Sequence, residues 1–383
     1  MKHTLLVTLD FPPTKGGVSH MLWQHCSQLP AGSVSVLTQD AAVPPSAPFP
    51  VFRRQLLSRN PLLPSWILLS VVVVSMLRHL RKTTPVDHIL VGQVFPVGTA
   101  VLLAAGLFGI PYSVYVNGLD ILVNRGRSLK MRFLRTMLRR AAAVFTCSAY
   151  SAALAISFGS AVDRTHVVYP CPDSSLHREV DDVRIQKFRH RYRLGGKKVI
   201  LSVGNLVRRK GFDLVLNSLP VIQSNIANTV YVIVGIGPDW NYLHSLATGH
   251  GLNESVIFAG QVGTDELADW YRSSDVFAMP SREILNANGQ AIDVEGFGMV
   301  FLEANLYGKP TIGGRSGGVP EAVVDGTTGL LVDPNSVESF TKAAVKLLSD
   351  SQLASQLGEQ GRRRVLADFS VSKQIEPIRR TLS

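Results

Sequence analysis

The stretch Glu295-Gly-Phe-Gly-Met-Val-Phe-Leu-Glu303-Ala-Asn305 sets two carboxylates eight residues apart around a glycine-rich turn, just after the apolar segment Asp275–Ser281. Gly296 and Gly298 let backbone approach a ligand with no side chain between. Met299, Val300 and Phe301 open an apolar stretch that reads as a helix, and a helix start offers free N–H groups and a positive dipole end. A diphosphate fits such a turn. A carboxylate at Glu303, within that apolar helix, is costly unless partners satisfy it, and ribose hydroxyls would serve. The plainer alternative is one helix-end carboxylate and one salt-bridged carboxylate.

Outward from this stretch, short β-branched apolar runs recur at spacings that leave room for a helix between them, the pattern of parallel βα units. The first half supplies His3–Asp10, Val34–Thr38, His88–Gly92, Tyr112–Val116, Val144–Cys147 and His166–Tyr169. The second supplies Lys198–Gly204, Val230–Gly235, Val256–Ala259, Val276–Met279, Pro310–Gly313 and Gly329–Val332. Two Rossmann-like sheets follow, consistent with 383 residues exceeding the usual span of one core. Pro170–Ser175 and the charged stretch Arg178–Arg193 read as a linker and a polar helix. The predicted division is 1–175, 176–365 and a C-terminal helical segment 366–383 returning to the first domain. Open α/β sheets bind ligands at the carboxyl ends of their strands, so a cleft between facing loops is expected.

Net charge is +11, and residues 1–178 carry 17 Lys and Arg against 6 Asp and Glu, so the whole excess lies in the first half. A basic half suits nucleic acid, an anionic membrane surface or an acidic small molecule. Cys26, Cys147 and Cys171 show no metal or disulfide spacing. The apolar run Thr4–Leu9 is short for a signal-peptide core, and a cytoplasmic location is expected. Trp66–Leu77 is shorter than the roughly twenty residues a spanning helix needs, and reads as a buried helix rather than a membrane-inserted segment. Arg125–Arg140 holds seven cationic residues and no acidic one, with Leu129, Phe133, Met137 and Leu138 near helical spacing. That basic amphipathic helix suits anionic headgroups or a phosphorylated acceptor; the alternative is a surface helix with its apolar stripe packed inward.

The paired-glutamate segment resembles the signature of the GT-B glycosyltransferases, in particular the large retaining family (family 4 type) that includes phosphatidylinositol mannosyltransferases, sucrose synthases and many lipopolysaccharide and capsule glycosyltransferases. Further segments agree in order and spacing over nearly the whole chain. Asp10-Phe-Pro-Pro-Thr-Lys-Gly16-Gly17-Val matches the glycine turn through which the first domain touches the donor phosphates. Gly204-Asn-Leu-Val-Arg208-Arg209-Lys210-Gly211 resembles the phosphate-gripping loop, with Lys210 matching its lysine. Asn205 stands where that loop has an arginine, and Arg209 or Arg208 could restore the charge. Phe258–Leu267 resembles the base-receiving loop, through backbone contacts near Val262, and Thr264 leaves both UDP- and GDP-linked sugars open. Asn117, in Val116-Asn117-Gly118-Leu-Asp120, replaces a family histidine, which removes any titrating imidazole but keeps a hydrogen-bonding amide. Gly313–Glu321 matches a loop framing the sugar end. Gly235-Ile-Gly237 lacks the third glycine of a dinucleotide fingerprint.

The resemblance implies transfer of a hexose from a nucleotide sugar to a glycan or lipid-linked acceptor, with retention and with neither metal nor other cofactor. Glu295 would orient the donor sugar, Glu303 hold the ribose, Lys210 grip the diphosphate, and the Gly298–Phe301 backbone cap the phosphates. Two rivals remain: a GT-B-like sugar-nucleotide epimerase, for which no acid/base pair stands out, and a nucleic-acid or anionic-surface binder without catalysis, for which no reader motif is present. Nucleic acid is therefore not an expected partner, whereas an anionic membrane surface, met through Arg125–Arg140 on the inner face, is.

Overall fold

The computed structural model describes residues 3–14, 16–41, 46–58, 64–123, 128–173 and 181–383. The chain splits into two compact units, Met1–Cys171 with Val371–Ser383, and Pro172–Ser370. The expected boundary near 175, together with Arg178, lies outside the described residues; the polar helix beyond it spans Asp182–Arg191.

Among the described residues seven strands build the first unit: β1 (Thr4–Thr8), β2 (Val34–Gln39), β3 (Val51–Arg54), β4 (His88–Val91), β5 (Tyr112–Val116), β6 (Ala143–Thr146) and β7 (Thr165–Val167). All pairs are parallel, in the order β3-β2-β1-β4-β5-β6-β7. Leu5, Val7, Ile89 and Val91 feed the core on one face, and Leu6, Val36, Leu90 and Tyr115 feed the other. Helices cover both faces, so the strands read as nearly unbroken apolar runs. Ile375, Ile378 and Leu382 pack into the second of these cores, tying the C-terminal helices Val371–Gln374 and Glu376–Leu382 to this unit. Each such buried side chain contributes roughly 1.5–3 kcal/mol.

The second unit repeats the plan with β8 (Lys198–Val203), β9 (Thr229–Val234), β10 (Val256–Gly260), β11 (Val276–Met279), β14 (Thr311–Gly314) and β15 (Gly329–Val332). The parallel order is β10-β9-β8-β11-β14-β15, and an antiparallel hairpin of β12 (Ile284–Leu285) and β13 (Ala291–Asp293) branches off after β11. In each sheet the order reverses beside the first strand, between β1 and β4 and between β8 and β11, which opens a crevice at the carboxyl ends. These are α/β Rossmann-like units.

Two elements escape the sequence reading. β3 is a four-residue edge strand ending in two arginines, and the β12–β13 hairpin has strands of two and three residues; neither is long enough to show a period. Trp66–Leu77 lies within the helix Ser65–Thr83, whose inner face buries Leu69, Val73, Met76, Leu77 and Leu80. Among the described residues no helix is long and apolar enough to cross a membrane.

Candidate functional site

The second unit builds its site where β8 and β11 diverge. After β8 the chain turns through Gly204 and a short 3-10 turn, Arg208–Lys210, into the helix Phe212–Asn225. Gly211 joins them with φ +76°, and a Cβ there would strike the Pro280 carbonyl of the loop after β11. Both the left-handed backbone and the close approach require glycine. That tight junction aims Arg209 and Lys210 at Glu295.

Glu295 follows β13. Its Oε2 accepts from Lys210 Nζ at 2.6 Å and from Arg209 Nη1 at 2.5 Å. Arg209 Nε also lies 3.0 Å from Asp293 Oδ1. That contact is an ion pair without hydrogen-bond alignment, since both atoms are buried and neither has a hydrogen-bond partner. Burial alone would raise the Glu295 carboxyl, but the Lys210 and Arg209 charges outweigh it and hold it below its ordinary value. Asp293 moves the other way, raised by burial against the opposing Arg209 charge.

Gly298 caps the helix Met299–Leu306 with φ +96°. A Cβ on it would lie 2.7 Å from the Phe301 ring and 3.8 Å from Glu295 Cγ. Phe301 is fully buried, whereas Met299 and Val300 are half-buried at the helix start. The first turn of a helix leaves N–H groups unused by the helix itself, and here they begin four residues after Glu295. Glu303, buried on the same helix, accepts a 2.7 Å hydrogen bond from the Tyr271 hydroxyl at Oε2. Burial raises its carboxyl above the ordinary value, and the Asp173 charge adds to the rise. The Tyr271 bond and the Lys210 charge oppose it. Lys210 thus acts on both glutamates.

Asn205 is exposed on the same loop, its Oδ1 against Gly237 in the turn after β9. Arg208 does not join the cluster. It stacks over Tyr242, 3.4 Å from the ring centroid, and lies 3.6 Å from Asp239. Arg209 is the arginine the fold delivers. Val262 is half-buried just beyond β10. Gly317 and Gly318, in the loop after β14, press against the Glu295 backbone, and Gly318 N–H donates to the Glu295 carbonyl at 3.0 Å. Ser281 and Ser316 bury hydroxyls that have no hydrogen-bond partner.

At the carboxyl edge of the first unit's sheet, Gly16, with φ +149°, caps the helix Gly17–Ser27, and both glycines are exposed. Gln93 donates to Asp10 and accepts from the Leu9 N–H at 2.8 Å. Asn117 ends β5 in a turn closed by its own N–H donating to Asp120 Oδ2 at 2.9 Å. Asp120 is half-buried, and its desolvation raises its carboxyl; that bond opposes the rise and the Asp10 charge adds to it. Among the described residues no group of three or more His, Cys, Asp and Glu converges as a metal-ligand set.

Asp293, Tyr271, Gln93, Ser281 and Ser316 were not singled out in the sequence. Tyr271 is the recoverable one, because a buried carboxylate at Glu303 demands a donor and an aromatic hydroxyl can supply it from the core.

Two Rossmann-like units of this topology, the second with a cationic loop and a glutamate at a helix start, define a glycosyltransferase of the GT-B class. The profile of "Glycosyl transferases group 1" matches residues 184–364, and that of "Glycosyltransferase Family 4" matches residues 15–176. The chain belongs to the family-4 type of GT-B glycosyltransferases. It is 33% identical, over 96% of its own length and 95% of the relative's, to the GDP-mannose-dependent alpha-(1-6)-phosphatidylinositol monomannoside mannosyltransferase of Mycobacterium tuberculosis. The lipopolysaccharide core biosynthesis glycosyltransferase LpsE of Rhizobium meliloti is 31% identical over 45% of this chain and 46% of its own. Among solved structures, Anabaena HepE in complex with UDP and glucose superposes with a TM-score of 0.81 at 20% identity, covering 100% of this chain and 99% of that one. Sucrose-phosphate synthase from Thermosynechococcus elongatus gives 0.78 at 21% identity, covering 100% and 99%. These superpositions speak to the fold.

Proposed function

We propose that this glycosyltransferase moves a hexose, mannose in the first instance, from a GDP-linked donor to a lipid-linked or glycan acceptor, with retention of configuration and without a metal ion. The observation that carries the reading is the Lys210–Glu295–Arg209 cluster at the start of the helix Met299–Leu306. The choice of GDP-mannose and of an inositol-lipid type of acceptor leans on the names of the relatives.

In this reading Lys210, Arg209 and the helix-start amides of Met299–Phe301 neutralise the leaving diphosphate, an electrostatic form of catalysis. Glu295, ionised by its two cations, accepts from donor-sugar hydroxyls. Glu303, with Oε2 held by Tyr271, offers Oε1 to the ribose. The bond from the anomeric carbon to the diphosphate oxygen breaks, the bond to the acceptor oxygen forms on the same face, and the acceptor proton passes to the departing diphosphate. No protein base is required. Gly16, Gly17 and Asn117 contribute donor contacts from the first unit, Val262 receives the base, and Asn205 is a neutral donor-binding residue of the cationic loop. The relatives named above are glycosyltransferases, and neither the epimerase nor the nucleic-acid reading gains support from them.

The exposed cations Lys130, Arg132, Arg135, Arg139 and Arg140 of the helix Ser128–Arg140 support a peripheral station on an anionic inner membrane face, each contributing on the order of 1 kcal/mol near such a surface. Arg125 and Arg127, part of the same expectation, lie outside the described residues. Transfer from GDP-mannose to phosphatidylinositol lipids, followed by NMR of the product anomer and repeated in EDTA, tests the proposal. The product should keep the donor's anomeric configuration at an unchanged rate. An inverted product, or activity lost in EDTA and restored by Mg²⁺, would contradict it.

A further inference from the structure

Beside the carboxyl edge of the first unit's sheet lies an apolar groove that the donor chemistry does not use. It holds about 700 Å³, and its walls include Trp66, Phe95, Leu103, Leu129 and Phe133, with Lys130 the cation among them. Trp66 is 41% exposed, Leu103 48% and Leu129 78%. The helix Ser65–Thr83, the segment Val94–Phe108 and the helix Ser128–Arg140 each bury another face in the core, through Leu69 and Val73, Ala100 and Ala104, and Leu134 and Met137 respectively. Trp66, Leu103 and Leu129 are therefore surplus to the fold, while Phe95 packs partly against the core. Leu129, which the sequence places on the apolar stripe of the basic helix, turns outward.

Two observations say what fits. The turn Val94–Gly98 starts immediately after Gln93, whose amide ties Asp10 and Leu9 together at the edge of the sheet, so the groove begins where that polar edge ends. Lys130 Nζ lies 5.7 Å from the centroid of Phe95, the wall residue closest in sequence to that edge, and Ser128–Arg140 carries no acidic residue. A polar edge, then a cation, then an apolar trench matches a molecule with a polyol head, a phosphate and a hydrocarbon chain.

We propose that this groove takes one acyl chain of the lipid acceptor, with Lys130 beside its phosphate. The proposal rests on the lipid-acceptor reading above and adds where the chain goes. It makes the groove discriminate between acylated and deacylated acceptors.

The test is binding, without turnover, of soluble phosphatidylinositol bearing brominated octanoyl chains, below its aggregation threshold, to the full chain. Saturable quenching of the emission lost in Trp66→Phe is expected, with glycerophosphoinositol at equal concentration failing to relieve it. Leu103→Glu should weaken it at least roughly tenfold, since it places a charge in an apolar wall. Leu129→Ser, at a mostly exposed position, should weaken it in the same direction should the glutamate variant lose its thermal transition. Equal quenching in wild type and both variants would overturn the proposal. So would quenching seen only with phosphatidylglycerol vesicles, which would assign the face to bilayer contact. A failed transfer assay would leave this result standing, and a failed quench would leave the donor chemistry intact.

Discussion

The two sheets share a topology but arm their carboxyl edges differently. At the second unit's edge, Arg209 and Lys210 meet Glu295 within hydrogen-bond distance, so charge is already compensated and a diphosphate would exchange one anionic partner for another. At the first unit's edge, Asp10, Gln93, Asn117 and Asp120 make an acid-and-amide surface held by hydrogen bonds, with the Asp10 charge adding to the rise of the Asp120 carboxyl. One edge suits an anion, the other suits hydroxyls. The same βα scaffold thus carries two different chemistries through the residues of its loops.

Substitutions can break that contrast, beginning with the largest effect. Glu303→Ala removes the proposed charged acceptor for ribose, and steady-state kinetics should show kcat/KM falling at least roughly 100-fold with the thermal transition retained. Lys210→Ala should weaken GDP binding by roughly 100-fold in calorimetry, while acceptor affinity stays put. Asn117→Ala, at the other edge, removes one neutral hydrogen bond and should raise the donor KM by no more than roughly tenfold in steady-state kinetics; a loss as large as that in Lys210→Ala would erase the contrast between the edges. Smallest is Tyr271→Phe, which frees Oε2 of Glu303 and should cost about three- to tenfold in donor affinity. That loss should shrink with a 2′-deoxy donor if the hydroxyl acts through ribose.

The two glutamates also part company in pH dependence. Glu295 has its carboxyl lowered from 4.5 in the fold, so its ion pairs add stability above the unfolded value and lose it as pH falls through the lowered one. Glu303 is raised from 4.5, so its protonated form gains ground at a pH where Glu295 is still charged. Donor affinity measured against pH should therefore fall on the acid side beginning above 4.5, and Glu303→Gln should flatten that limb. A limb unchanged in the glutamine variant would remove Glu303 from donor binding.

Much of the second unit's edge was legible because its motifs are local in sequence. The turn Arg208–Gly211 and the stretch Glu295–Glu303 each carry their own glycine and charge, and the parallel rhythm of β-branched runs placed both after strands. What stayed hidden depends on contacts across the sheet. Arg208 and Arg209 look alike in sequence, and only the fold shows Arg208 taken by Tyr242 and Asp239 and Arg209 turned to Glu295. Asp293 sits on a hairpin too short to produce a period, and Tyr271 reads as a core aromatic until Glu303 is found against it. In the first unit Gln93 lies outside every glycine-rich motif, yet it links β1 to the loop after β4.

The central claim, that the Lys210–Glu295 cluster is a nucleotide-sugar diphosphate site, is tested most directly by a thermal-shift panel of GDP-, UDP- and ADP-sugars on the wild type and Lys210→Ala. A bound donor stabilises the fold in proportion to its occupancy. The expected result is an upward shift largest with GDP-mannose and nearly abolished by the substitution; no shift with any nucleotide sugar, or the same shift in Lys210→Ala, would contradict it.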